Sequence, residues 1–371
     1  MCIRDRAIAG QADLSRVRAL AVDGTSGTII GIDAGGRPVT PARMYNDACE
    51  AAIAQRIAAV APRDSAARGA TSALGRAIEL QHAPRLHRII HQADFIAGRL
   101  SGRFDVSDEN NALKTGYDPV ARCWPAWLED AGIDMTRLPR VVAAGTLTAT
   151  DVSPQARALG LSADTAVVAG TTDGCAAFLA TGAGTPGDGV TSLGTTLVLK
   201  LMSPRPLFAP EYGLYSHRIG DAWLAGGASN SGGAVLLKFF TPDRMRELEP
   251  QLAPDRPTGL DYYPLSGRGE RFPVNDPALA PRLTPRPADD AIFLQGMLEG
   301  IAGVEALGYS RLAALGGPPL TCLRTTGGGA GNAAFTRIRA RQLGVAMEQA
   351  ASQEAAVGTA RLAWYGLRGR W

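Results

Sequence analysis

The chain has 371 residues, 46% of them hydrophobic and 20% charged, with a net charge of +3. That length is more than one hydrophobic core usually fills, so two domains are expected. The 44 glycines lie in short dispersed clusters, which excludes a collagen-like or low-complexity chain, and no Lys/Arg block with interleaved aromatics points to nucleic acid.

Met1-Cys-Ile-Arg-Asp-Arg6 carries no strand or helix pattern, and the residues from Ala7 to Arg16 suit a helix end and turn. Val17–Val22 is predicted as a buried strand ending in Asp23-Gly-Thr-Ser-Gly-Thr28. Ile29–Asp33 is a second apolar strand, so the pair is expected to form a hairpin with a polar, small-residue tip. Residues 48–58 and 70–100 show apolar spacing of three and four, a helical period. Pro84 is expected in the first turn of a separate helix. Residues 105–117 are polar and irregular.

A second cycle starts at Ala166. The strand Ala166–Ala169 runs into Gly170-Thr-Thr-Asp-Gly174, followed by a helix. Residues 189–200 again read as strand, tip and strand, with Ser192-Leu-Gly-Thr-Thr196 at the tip. Gly226–Gly233 precedes a helix, and residues 250–289, rich in Pro, Gly and charge, form a long connection. A strong helix spans 291–315, Cys322–Thr326 is a strand opening into Gly327-Gly-Gly-Ala-Gly-Asn332 and a helix, and a last helix covers 354–363. The order predicts two α/β domains around a cleft, divided near residue 165.

Cys2, Cys49, Cys123, Cys175 and Cys322 are odd in number and form no CxxC pair, which argues against a disulfide framework or a zinc site. No unbroken apolar run reaches the roughly 18 residues of a membrane helix, and no signal peptide pattern is present. The expected compartment is the cytoplasm, with no membrane partner.

The three tips suit a nucleotide. Glycine lets backbone N–H groups approach an anion, and Thr and Ser hydroxyls add donors. A helix N-terminus near Ala333 adds partial positive charge. No GxxxxGK[ST] occurs, so this is not a P-loop chain. The GxGxxG-like run at 327–332 leaves a dehydrogenase as a weaker alternative, because a Rossmann fingerprint opens its domain rather than lying near the C-terminus. Asp173 sits at a strand-to-helix turn, where Asp also serves as a helix cap.

These residues together resemble the FGGY carbohydrate kinases, over nearly the whole chain from residue 17. The resemblance rests on Val22–Thr28 with Met44-Tyr-Asn-Asp47, Asn111-Ala-Leu-Lys-Thr-Gly-Tyr117, Gly170–Gly174, Thr191–Thr196, Gly227–Gly233, Gly327–Asn332 and Ala356–Ala360. It is nearest to the ketopentose kinases of plants and cyanobacteria, which act on D-ribulose. The resemblance implies an α/β fold of two ribonuclease H-like (actin/hexokinase-type) domains. Residues 1–165 would be the sugar domain and 166–371 the ATP domain. It implies ATP and Mg²⁺ as cofactors and a small sugar as partner. By matched position, Asp173 is the general base that takes the proton of the sugar hydroxyl, and Gly24, Thr25 and Ser26 hold the sugar beside it. Gly194, Thr195 and Thr196 face the ATP phosphates. Gly232, Gly328, Gly329 and Asn332 form the adenosine site, with Phe335 as a wall for the base. Asp47 is equally a turn residue or a sugar contact. His82, His87, His91 and His217 show no ligand spacing and are expected in surface or packing roles.

Kinases of this family open with a strand ending in Asp-x-Gly-Thr. Asp23-Gly-Thr-Ser-Gly-Thr28 has the spacing of a later segment, so the opening hairpin and its metal-placing carboxylate are expected to be missing and the chain to be truncated at its start, with low activity. The expected reaction is phosphorylation of D-ribulose to D-ribulose 5-phosphate. The alternatives are a kinase for another ketose or polyol such as D-xylulose, and a non-catalytic nucleotide- or sugar-binding relative.

Overall fold

The computed structural model describes residues 10–369. The expectations placed on Met1–Arg6 and on Cys2 fall outside the described residues. The chain divides into two compact units. One holds residues through Ala180, His217–Gly220 and the segment from Glu354; the other holds Thr181–Ser216 and Asp221–Gln353. The expected division at 165/166 is therefore displaced. Two helices from beyond that point, Asp173–Ala180 and Ala355–Arg368, pack on each other within the first unit. Gly358 permits this approach, since a Cβ there would lie 1.9 Å from the Ala176 carbonyl oxygen. Arg361 Nη1 also donates to the Leu179 carbonyl at 2.8 Å. Both helices stay with the first unit because Ala19–Leu20 pairs with the strand Ala166–Val168 and Asp23–Gly24 with Thr171–Thr172, ladders that a division at 165 would cut, and because the last helix also packs on Ala19–Leu20.

In the first unit, Ala19–Leu20 pairs in parallel with Ala166–Val168. Asp23–Gly24 pairs in parallel with Thr171–Thr172. The register advances by one residue between the two ladders, a local irregularity of the β-bulge kind. Ile29–Ile32 does not turn back on the first strand as a hairpin. It pairs antiparallel with Arg88–His91, a strand inside the segment predicted as helical. The observed order there is a helix Ala73–Leu80, a turn containing Pro84, the strand, and a helix Gln92–Ser101. Four residues, Arg-Ile-Ile-His, are too few for periodicity to separate from the helices around them. Residues 105–117 are also ordered, as the strand Val106–Asp108, the helix Glu109–Ala112 and a 3₁₀ turn Leu113–Thr115. Behind the Ile29–Ile32 strand lies a core of Ile57, Leu74, Ala77, Ile78, Ile89 and Leu128.

In the second unit, Asp188–Leu193 lies between an antiparallel neighbour, Leu197–Ser203, and a parallel one, Cys322–Thr326. Ala222–Ser229 flanks the former antiparallel, and Ala346–Glu348 flanks the latter in parallel. The Leu193–Leu197 turn is thus the predicted hairpin. The helix Asp290–Ala314 packs on this sheet through Phe293, Leu294, Met297, Leu298, Ile301 and Leu312, all buried. Each such side chain contributes about 1.5–3 kcal/mol of burial. This helix has the length and mean hydropathy (1.3) of a membrane crossing, yet 78% of that window is buried inside the unit. Gln295, Glu299 and Glu305 interrupt its apolar run and are buried with hydrogen-bond partners.

Candidate functional site

In the second unit a groove of about 660 Å³ is lined by Gly194, Thr195, Gly232, Gly328, Gly329, Asn332 and Phe335, with Leu193, Leu197, Leu236, Met245, Leu298 and Ile301 as apolar walls. Seven of the eight residues expected to hold ATP therefore come together. Thr196 lies at the same tip but is not part of the lining. The tip is braced from below. The Gly194 carbonyl accepts from the Gly233 amide at 2.9 Å and the Thr195 carbonyl from Ala234 at 3.1 Å. The amides of Thr195 and Thr196 have no partner among the described residues. The tip thus offers donors rather than acceptors, the polarity an oxyanion requires.

The loop opposite, Ser229–Gly233, hangs on one buried carboxylate. Glu270 accepts from Ser229 Oγ at 2.6 Å, from the Asn230 amide at 2.7 Å and from Tyr263 OH at 3.1 Å. Glu270 lies in the long 250–289 connection, where composition gave no sign of it. Asn332 Oδ1 caps the helix Ala333–Leu343, accepting from the Phe335 amide at 2.6 Å. Phe335 is only 5% exposed, and the Arg339 guanidinium stands 5.7 Å from its ring centroid. The free helix N-terminus expected near Ala333 is not free. Glu249 Oε1 accepts from the Ala333 amide at 3.1 Å, and a carboxylate there cancels the partial positive charge.

In the first unit, Asp173 opens the helix Asp173–Ala180 and is exposed. Its Oδ1 accepts from the Gly174 amide at 2.6 Å, while Thr172 Oγ1 accepts from the Cys175 amide at 3.4 Å. Gly24 stands in ladder register with Thr172. The tip Gly24-Thr25-Ser26 is therefore carried on the strand next to the one that ends in Asp173. Gln92 Oε1 accepts from the Thr25 amide at 2.9 Å. The hydroxyls of Ser26 and Thr28 are buried with no partner among the described residues, so the tip holds donors in reserve. Arg76, 0% exposed, donates to the Gly27 carbonyl and, at 2.8 Å, to that of Asp47. Burial depresses the pKa of this guanidinium. Asp47 takes the turn role, with Oδ2 accepting from the Met44 amide at 2.7 Å.

The polar 105–117 segment is the floor of this region. Asp108 accepts from the amides of Asn110 and Asn111 and from Asn111 Nδ2. Burial, reinforced by Asp94, pushes Asp108 up to about 6, and burial pushes Glu109 up to about 7 against the pull of Arg122 and Arg218. His91 is buried, with Nδ1 2.7 Å from Asp94 and Nε2 2.9 Å from Thr115 Oγ1. With Nδ1–H given to Asp94, Nε2 accepts from Thr115 and so holds the turn that carries Lys114. The Lys114 stem passes 3.3 Å from where a Gly27 Cβ would stand.

Arg76, Glu249 and Glu270 were missed by sequence reasoning. Only Arg76 left a signal, as the one cation on the buried face of an apolar helix.

Residues 189–367 match the profile of the FGGY family of carbohydrate kinases, C-terminal domain. The autoinducer-2 kinase of Yersinia enterocolitica (serotype O:8 / biotype 1B) is 27% identical over an alignment covering 99% of this chain and 76% of that protein. Among solved structures, the xyloylose kinase from Brucella ovis superposes with a TM-score of 0.84 at 22% identity, covering 100% of this chain and 80% of that one. The gluconate kinase from Lactobacillus acidophilus gives 0.81 at 17%, covering 99% and 78%. The structural likeness carries the fold, which is the α/β fold of the actin and hexokinase type.

Proposed function

Taking the chain as an FGGY-family, ATP-dependent carbohydrate kinase, we propose that it phosphorylates a ketopentose, D-ribulose, to D-ribulose 5-phosphate. The observation that carries this reading is the ladder of Asp23–Gly24 against Thr171–Thr172, which sets the Thr25–Ser26 tip beside the exposed Asp173 carboxylate. Asp173 accepts the proton of the sugar hydroxyl. The hydroxyl oxygen forms a bond to the γ-phosphorus, the bond from that phosphorus to the β,γ-bridging oxygen breaks, and ADP leaves. Thr25, Ser26 and the Gly24 backbone hold the sugar. In the second unit, the Gly194–Thr196 tip takes the phosphates, and Gly232, Gly328, Gly329, Asn332 and Phe335 take the adenosine.

The described residues contain no group of three or more His, Cys, Asp or Glu that could ligate a metal. In this reading a Mg²⁺ ion would be held mainly by the nucleotide phosphates. Bound there, it would neutralise charge on the phosphate oxygens. A cytoplasmic setting belongs to the same reading. The relative named a xyloylose kinase favours a second reading, in which the sugar is D-xylulose or another ketose.

The test is an ADP-release assay with ATP, Mg²⁺ and a panel of ketopentoses. D-Ribulose is expected to give the highest kcat/KM. Asp173→Ala is expected to abolish turnover, roughly a 10²–10⁴-fold loss, while leaving ATP affinity unchanged. Full turnover by Asp173→Ala would remove the base assignment, and preference for another sugar would replace the substrate.

A further inference from the structure

The groove of the second unit contains one carboxylate, and no role has been given to it beyond its bond to a helix end. Glu249 lies on the short turn Glu249–Gln251 that follows the helix Pro242–Leu248 and is partly exposed in the groove lining. Its Oε1 is held by the Ala333 amide at 3.1 Å, while Oε2 has no partner among the described residues. Two of the first donors of the helix Ala333–Leu343 are thereby consumed, one by Glu249 and one by the Asn332 cap.

This arrangement has an electrostatic consequence. A helix N-terminus is ordinarily a phosphate site, but a fixed carboxylate repels phosphate from it. Phosphates are left to the unpaired amides of Thr195 and Thr196 and to Arg246, a groove-lining cation paired with Asp243. Near Glu249 the groove walls are Met245, Leu298, Ile301 and Phe335, which suit the flat apolar faces of a base. What an ionised carboxylate lacks is a donor, since it only accepts. A ribose 2′,3′-diol supplies two donors, and Asp or Glu reads such hydroxyls in dinucleotide sites for the same reason.

We propose that Glu249 is the ribose-reading residue of this groove, accepting a hydrogen bond from the nucleotide's 2′- or 3′-hydroxyl through Oε2, and so selects ribonucleotides and fixes which way the nucleotide lies. This rests on the groove being the ATP site. The test is calorimetric titration of the full chain with ATP, 2′-deoxyATP, 3′-deoxyATP and ITP. The wild type is expected to bind one of the two deoxynucleotides about tenfold more weakly than ATP, the worth of a hydrogen bond to a charged group. Glu249→Ala is expected to weaken ATP about tenfold and leave that deoxynucleotide unchanged, so the preference disappears. Glu249→Gln is expected to retain part of it. An equal loss for all nucleotides in Glu249→Ala, or an unchanged ratio, overturns the proposal and leaves Glu249 a helix cap. A preference that disappears only between ATP and ITP, which lacks the adenine amino group, also overturns it by assigning Glu249 to the base. Leu237→Trp separates this failure from that of the underlying reading. Leu237 lines the groove and is 58% exposed, so the larger ring is tolerated by the fold. If it leaves ATP affinity untouched, the nucleotide binds elsewhere and both readings fall. If it weakens ATP while Glu249→Ala leaves the ratio unchanged, only the ribose assignment falls.

Discussion

The second unit contains an ion pair with no access to water, and removing half of it should be costly. Arg339 and Glu305 are both 0% exposed. The guanidinium meets the carboxylate in two parallel bonds, Nε to Oε2 at 2.6 Å and Nη2 to Oε1 at 2.7 Å, and its Nη1 donates to Thr325 Oγ1 at 2.8 Å. Glu305→Gln leaves a buried cation facing a neutral amide, one of whose positions becomes a donor opposite a donor. Breaking a buried pair in this way costs about 3–5 kcal/mol. For a unit of this size that is roughly a 10 °C fall in melting temperature. Function should follow, because Arg339 backs Phe335 in the groove and Thr325 lies on the strand leading to Gly327. KM for ATP is expected to rise along with the loss of stability. The double variant Glu305→Leu/Arg339→Met removes both charges at similar volume and should recover most of the loss, since a buried pair and an apolar replacement are often equivalent. Thermal melts and ATP titrations of the two variants decide the matter. A loss below about 1 kcal/mol in Glu305→Gln, or a double variant less stable than the single one, would refute the reasoning.

Other expectations follow from single contacts. Glu109 has a folded pKa raised from 4.5 to about 7, so its contribution to stability is full below pH 4.5 and lost as pH rises through 7. That difference is worth about 3 kcal/mol. Glu109→Gln should flatten the decline in melting temperature between pH 5 and pH 8 and be the more stable protein at pH 8; an unchanged pH profile would count against the burial argument. Gly170→Ala would put a Cβ 1.7 Å from the Val22 carbonyl oxygen, forcing apart the strands that carry the Gly24–Ser26 tip and Asp173. A loss of roughly 3 kcal/mol is expected, measured by denaturant titration, together with reduced sugar affinity. Glu270→Ala strips the acceptor from Ser229, Asn230 and Tyr263. At about 1–3 kcal/mol for each buried group left unpaired, the loop carrying Gly232 should loosen, and KM for ATP should rise more than KM for the sugar.

Much of this was legible in the chain itself. The strand-tip-strand of 188–203 and the 290–314 helix are local objects. Their signals, small residues at a turn and a sustained apolar run, reside in consecutive residues. The residues that line the groove of the second unit were legible for the same reason, most of them lying on glycine-rich tips directly after strands. The strand Arg88–His91 and the order within 105–117 were not legible. Their polar residues are stabilised by partners far away in sequence, such as Asn110 with Thr171 and Arg218. The division of the chain falls elsewhere because Ala19–Leu20 pairs with Ala166–Val168 and Asp23–Gly24 with Thr171–Thr172, contacts between residues far apart in the chain that no local pattern announces.

The sequence alone determined the α/β class, the glycine-rich tips that follow strands, and Asp173 at the end of a strand. These depend on backbone freedom and short-range periodicity, which neighbouring residues settle between themselves. Tertiary structure alone decided that Glu249 closes the helix end expected to be open, that Glu270 holds the Gly232 loop, and that Arg76 pins the tip at Gly27 from within the core. A charged side chain is costly to bury without a partner, and where that partner stands is a property of the folded chain, not of its order of residues.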